Sequence, residues 1–451
     1  MSKIISLRKG LDINLEGAAT KKTTVLPLAA EYGVSPLDYE GVIPKLLVKV
    51  GDEVKAGTPL FFSKNDERIL FTSPVSGVVA AINRGEKRKV LSVTVTPAKE
   101  QTYEVFPKLD AQKASREEVV ELLLKSGLWP MIQQRPYGII ANPSDEPKAI
   151  FISAFDSAPL APDYNFVLET EADNVAAGIA LLGRLTKGKV HLSVRAKAEG
   201  QFAVVKGAEI HSFSGKHPAG NVGVQIHHID PINKGEVAWT VNLQDVAVMG
   251  RLVKEGKLNL QRTIALTGSE VEAPQYYTVI AGARLDAIVG GKIKAQAEGD
   301  TVRIVAGNAL TGAKRSENEF LPLSGNQLTV LPEGDKYEMF GWMAPRFKKF
   351  SVSRAYFSWI CPKKQYKLDT NLNGGERPFV VSGVYEQYLP MDIYPVYLLK
   401  ACIAGDIDKM EALGIYEVIE EDIALCEFVD PSKIEMQQVL RDGINLMIKE
   451  A

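Results

Sequence analysis

A chain of 451 residues is about three times the commonest domain length, which predicts several domains rather than one. Its 45% apolar, 24% charged and 8% aromatic composition is that of folded globular proteins and excludes a disordered, collagenous or coiled-coil chain. With 53 basic against 55 acidic residues and a formal charge of −2, no polyanion-binding surface is expected, so nucleic acid is not a predicted partner.

The residues from Met1 to Ser35 mix Lys pairs, Gly and small side chains without a sustained period and read as an arm holding one short strand in SLRKG. The opening MSKIISLRKGLDINLEG meets charge every few positions, so it does not supply the apolar core of a secretory signal. From residue 36 to 100 the texture changes to short β-branched runs punctuated by Gly and Pro, which predicts a small all-β module. Residues 101–260 alternate helix and strand. Ser115 and Glu118 form a capping box that starts a helix ending at Gly127. KAIFISAF (148–155) and KVHLSVRA read as strands, ADNVAAGIALLGRL as a helix, and a further helix runs from Asn242 to Gly256. Strand texture returns over 261–335. A Pro- and aromatic-rich connector and a helical tail fill 336–451. The fold class is therefore multidomain α+β. No stretch approaches about 18 uncharged apolar residues, and even Tyr394 to Gly405 carries Lys400, so no transmembrane segment is expected.

Short motifs give little chemistry. GRLTKGKV (183–190) nearly fits a phosphate-binding loop, but Val190 stands where a hydroxyl is needed, and the segment closes a helix and opens a strand, the reverse of the required order. There is no G-x-G-x-x-G dinucleotide fingerprint and no G-x-S-x-G nucleophile elbow. The five histidines, His191, His211, His217, His227 and His228, crowd one stretch, yet no spacing supports a metal site. His227 and His228, read as neighbours on a strand, point to opposite faces. Cys361, Cys402 and Cys426 are too few for an ordinary four-thiolate cluster, argue against a disulfide framework and suit a reducing cytosol.

VGDEVKAGTPLFF followed by FTSPVSGVVAAI resembles the barrel-sandwich hybrid of lipoyl and biotinyl carrier domains. The corresponding hairpin tip is Lys64 to Arg68, with Lys64 off an apex formed by Asp66 and Glu67 and without the flanking residues of a modified lysine, so the module reads as a scaffold without a swinging arm.

Longer segments resemble one family in order along nearly the whole chain: SGLWP (126–130), AIFISAFDSAPLAPD (149–163), HPAGNVGVQIHHIDPI (217–232), GGERPFVVSGVYEQYLPMDIYP (374–395) and EEDIALCEFVDPSK (420–433). They are similar to the A subunits of Na+-translocating NADH:quinone reductases. The same domain order resembles the C subunit of the Rnf complex and the NADH-binding flavoprotein subunit of respiratory complex I. The resemblance implies an α/β layer like that flavoprotein subunit over 101–260, a β-grasp-like (SLBB-type) domain over 261–335, and a peripheral role at the cytoplasmic face of the bacterial inner membrane. Implied partners are the other subunits of the complex, especially the membrane-embedded B subunit, and quinone.

Where the flavoprotein relatives carry a glycine-rich loop that admits FMN, this chain has GLWPMIQQRPYG, whose bulk opposes close backbone approach. Where their cluster motif needs closely spaced cysteines, Cys426 stands alone. FMN and an iron–sulfur cluster are therefore expected to be absent, with no tightly bound cofactor and no catalytic residue in this chain. Trp129, Met131, Arg135 and Tyr137 have the chemical types of a quinone slot; the alternative is that they fill the vacated flavin space as core. The connector Met339 to Phe347, with Arg346, suits either an interface with another subunit or an interdomain linker. An Rnf-like subunit carrying FMN and clusters, and a non-redox carrier module, are the competing readings.

Overall fold

A computed structural model describes residues 4–197, 200–334, 339–341 and 347–450. Of the connector, Trp342 to Arg346 lie outside the described residues.

The barrel-sandwich hybrid has two facing sheets. One orders the strands Tyr32–Val34, Val90–Pro97, Gly77–Arg84 and Glu53–Val54; the other orders Pro44–Leu46, Pro59–Ser63 and Asp66–Thr72. Phe61 and Phe71 stack between them with ring centroids 4.7 Å apart. Because Tyr32–Val34 pairs with Val93 to Val95, this module's sheet begins before residue 36. The hairpin turn falls on Lys64 and Asn65, since Ser63 pairs with Asp66. The lysine therefore stands at the apex, and Asp66 and Glu67 are already on the returning strand, a correction to the sequence reading.

The helix Arg116–Ser126 starts at the anticipated box, with the Ser115 side chain accepting from the Glu118 amide and the Glu118 carboxylate accepting from the Ser115 amide. It stops at Gly127, whose φ of +73° favours glycine and whose missing Cβ lets Thr72 of the barrel approach. The α/β layer that follows is a seven-stranded sheet in the order Ile4–Ser6, Glu209–Ser214, Lys189–Arg195, Ala149–Ser153, Ala238–Val241, Ile132–Arg135 and Ile139–Ile140. The first five are parallel, and the central strands are largely buried, as helices on a parallel sheet require. The helices Ala172–Leu182 and Leu243–Glu255 pack where Gly178 and Gly250 bring backbones together; a Cβ on Gly250 would lie 1.8 Å from the Asn174 carbonyl oxygen.

His227 and His228 lie on the helix Val222–Ile229, not on a strand. The β-branched run VGVQIHHI looks extended by composition, but passing from Glu209–Ser214 across the sheet to the parallel strand Ala238–Val241 requires a crossover, which the helix supplies.

The fourth sheet orders Ala313–Arg315, Val302–Ala306, Gln327–Pro332, Gln261–Thr267, Gln275–Ile280 and Thr20–Val25. The arm is thus divided between two sheets: Ile4–Ser6 extends the α/β sheet and Thr20–Val25 extends this one. The tail helices Pro395–Ala404, Ile407–Ala412, Glu420–Val429 and Met436–Glu450 enclose their own apolar core around Leu399, Ile423, Leu440 and Ile444. Among the described residues, no helix is long and apolar enough to cross a membrane.

Candidate functional site

Strand order fixes where a ligand pocket belongs. From Ala149–Ser153 the chain builds outward through Lys189–Arg195 and Glu209–Ser214, then returns to place Ala238–Val241 on the other side of Ala149–Ser153. The carboxyl ends of such neighbouring parallel strands are where open α/β sheets bind ligands. A cavity of about 330 Å³ lies there, lined by Ser153, Phe155 and Asp156 after one strand and by Thr240, Val241 and Asn242 at the end of the other. Every domain contributes to its wall: Asp38 and Tyr39 from the barrel, Leu310 and Leu323 from the fourth sheet's domain, and Glu421 from the helical tail.

Four carboxylates face this space, and none of the described residues lining it is Lys or Arg. Three of the four are backed by an arginine behind the wall. Arg315 reaches Asp38 at 2.5 Å, Arg262 reaches Asp245 at 2.6 Å, and Arg135 reaches Glu421 at 2.5 Å. Burial nevertheless raises the affinity of Asp38 and Asp245 for protons, with the arginines opposing it. Burial also raises Glu421, with Arg135 drawing it down and Asp422 and Asp156 pushing it up. Asp156 accepts from the Ala158 amide at 2.8 Å, and burial raises it as well. His217 is buried in the wall with Nδ1 3.1 Å from the Ser157 hydroxyl, and burial pushes it down to about 4, so its ring is neutral at pH 7. The result is a pocket of apolar side chains, amide and hydroxyl groups, and four carboxylates of which three are paired with arginines.

The four residues singled out from sequence do not converge on this cavity. Met131 lines it. Trp129 is fully buried, donates Nε1–H to the Ala141 carbonyl at 2.7 Å and meets Trp239 edge-on at 5.4 Å. Arg135 is buried and committed to Glu421 and Asp422. Tyr137, in the turn after Ile132–Arg135, meets Tyr416 of the tail edge-on at 6.3 Å, and its carbonyl accepts from Arg441 at 2.8 Å. Sequence reasoning gives Asp156 and Leu323 no role, His217 only a place among five crowded histidines and Asn242 only a helix start, although Asp156 and His217 stand in the long segments that carry the resemblance. The available signal was position, since Asp156 follows a predicted strand of an α/β layer.

The cysteines stand apart. Cys361 is exposed in the connector, while Cys402 and Cys426 are buried in the tail, where burial pushes their thiols up to about 11 and about 12. On two adjacent strands of the α/β sheet, His191, Glu209 and His211 bring three potential ligand atoms within 4.8 Å of one another. Sequence spacing hides this trio because adjacent parallel strands carry it.

The architecture is that of a multidomain ligand-pocket protein built on an α/β sheet. Three family models match in chain order: the NqrA N-terminal barrel-sandwich hybrid domain over residues 5–98, the NqrA second alpha/beta domain over 114–258 and the NQRA C-terminal domain over 263–317. The chain is 38% identical over 450 residues to the A subunit of the Na(+)-translocating NADH-quinone reductase of Neisseria meningitidis serogroup A, spanning 99% of this chain and 100% of that one. The corresponding A subunits of Cellvibrio japonicus and Yersinia pestis bv. Antiqua are 37% and 38% identical, again over 99% of this chain and 100% of theirs. A crystal structure of an NAD+-reducing NiFe-hydrogenase superposes with a TM-score of 0.37 at 12% identity, over 74% of this chain and 61% of that one, too distant to carry an argument. The chain belongs to the A-subunit family of the Na+-translocating NADH-quinone reductases.

Proposed function

We propose that this chain works as the peripheral A subunit of a Na+-translocating NADH:quinone oxidoreductase, at the cytoplasmic face of the bacterial inner membrane, where it contributes to assembly and to quinone contact and catalyses no step alone. The observation that carries this reading is end-to-end similarity to other A subunits, with the three family domains in the same order. The membrane-embedded B subunit is the partner this reading names first. Tyr394, Tyr397 and Ile403, exposed on and beside the helix Pro395–Ala404, offer apolar surface for such contact.

The cavity suits a neutral quinone head group. Met131, Phe155 and Leu323 supply apolar wall, Asn242 and Thr240 supply polar groups that can meet a carbonyl oxygen, and burial raises the proton affinity of Asp156 beside them. FMN fits the same space poorly, because its phosphate would face Asp38, Asp156, Asp245 and Glu421 with no lining cation among the described residues. The segment matching the relatives' glycine-rich loop is also a 3-10 turn, Trp129–Met131, whose side chains are buried. The separated cysteines, two with raised thiols, are poor cluster ligands. This chain is therefore expected to hold neither FMN nor an iron–sulfur cluster.

Photolabelling of the assembled complex with a quinone analogue tests the pocket. Label in the peptides containing Met131, Asp156 or Asn242 is the expected result; label confined to other subunits would remove the quinone role from this chain. Visible absorption of the purified chain tests the rest, a flavin or iron–sulfur spectrum being the result that defeats it.

A further inference from the structure

On the neighbouring strands Lys189–Arg195 and Glu209–Ser214, pairing sets His191 opposite Glu209 and Ser193 opposite His211. Side chains alternate along a strand, so residues paired across the ladder share a face, as do residues two apart. His191, Glu209 and His211 therefore project from one face of two adjacent strands. His191 Nδ1 and His211 Nε2 lie 2.9 Å apart, and Glu209 Oε1 lies 4.0 Å from the same His211 nitrogen.

We propose that His191, His211 and Glu209 form a binding site for one divalent transition-metal ion of the Zn2+ class, with a coordination position left to water. Two imidazole nitrogens and a carboxylate oxygen are a donor set such ions take, and three protein ligands leave the fourth tetrahedral position open. Burial lowers both histidines, His191 to about 4, so at pH 7 each ring is neutral and able to offer a lone pair. Without metal the two nitrogens share a single N–H hydrogen. An entering ion displaces that hydrogen as the ring carrying it changes tautomer, the proton passing through solvent to the other ring nitrogen, and each facing nitrogen then donates its lone pair to the ion. Metal–nitrogen bonds of about 2.0–2.1 Å set tetrahedral ligands roughly 3.3–3.4 Å apart, so the rings need to part by only a few tenths of an ångström. Phe151 stacks on His191 at 4.8 Å and holds that ring in place. Access comes from the other side, because the side chains of His211 and Glu209 are 17% and 45% exposed.

The competing cation is Lys189, whose ammonium holds Glu209 Oε2 at 2.6 Å. It leaves Oε1, the oxygen nearer His211, free to turn toward an ion. The site is expected to clamp the Lys189–Arg195 and Glu209–Ser214 strands together and to take no part in the pocket's chemistry.

The test is Zn2+ titration of the full chain after chelator treatment, by calorimetry, with Co2+ as a spectroscopic probe. One equivalent of Zn2+ at pH 7 and visible Co2+ bands of tetrahedral intensity are expected. Both side chains reach the surface, so His211→Ala and Glu209→Gln should fold, as circular dichroism will show, and weaken binding about tenfold or more. Cys361→Ser and His228→Gln should bind as the parent does. The proposal fails if no stoichiometric Zn2+ binds, if His211→Ala and Glu209→Gln both retain parental affinity, or if Cys361→Ser alone abolishes binding.

Discussion

Arg135 and Asp422, separated by 287 residues, meet at 2.6 Å with side chains 2% and 0% exposed. The guanidinium reaches from the α/β sheet into the first turn of the helix Glu420–Val429, and its other arm holds Glu421 at the pocket wall. One arginine thereby fixes the helical tail on the sheet and sets one side of the cavity. Removing it leaves Asp422 buried without its ion-pair partner, with its second oxygen already lacking a hydrogen bond. Arg135→Met should cost about 3–5 kcal/mol in urea unfolding, and adding Asp422→Leu should recover most of that loss. A single-variant cost below about 1 kcal/mol would show that the pair does not hold the tail.

Gly250 lets the helix Leu243–Glu255 lie against the Asn174 carbonyl. Gly250→Ala forces the two helices apart and should lower stability by about 1–3 kcal/mol, despite alanine's better helix propensity. Gly291, which has open space around it but a φ of +68°, offers a comparison in which backbone strain acts without crowding.

His217 carries a pH dependence of definite sign. Its native proton affinity is pushed down to about 4 by burial, with Asp12 opposing, from an ordinary value of 6.5. Between these values the unfolded chain binds more protons than the folded one, so this contribution to stability is lost as pH falls from about 6.5 toward 4. Taken alone, the residue should account for about 2 kcal/mol between pH 7 and pH 5. His217→Gln should flatten the unfolding free energy over that interval, and an unchanged slope would assign the effect to other groups.

Thiol reactivity follows burial. In the native chain at about pH 7.5 one thiol, that of exposed Cys361, should react promptly with a disulfide reagent, while Cys402 and Cys426, raised to about 11 and about 12, should react only after denaturation. Cys361→Ser should abolish the fast phase.

The elements that local rules specify were legible. The Ser115 capping box, the Gly127 and Gly256 stops and the Asn242 cap all stand where the sequence placed them, because each is decided within a few residues. The crossover helix bearing His227 and His228 was misread, since its β-branched composition is overridden by the need to connect parallel strands. The Lys64 apex was missed because register, not composition, sets a hairpin turn. The candidate site was only partly legible: the GLWPMIQQRPYG loop does reach the pocket through Pro130, Met131 and Gln133, but Trp129 turns to the core and Arg135 and Tyr137 to the tail. The four-carboxylate wall joins residues from three domains, and no local pattern announces such a meeting.

The division of the N-terminal segment between two sheets bears on how the molecule is made. Ser6 bonds to Ser214, 208 positions downstream, and Thr20–Val25 aligns with Gln275–Thr278. These early-translated residues can take up their pairings only after their distant permanent neighbours have left the ribosome. The nascent barrel can close well before the strands that precede it settle, so maturation finishes in a stretch of polypeptide that was synthesised long before.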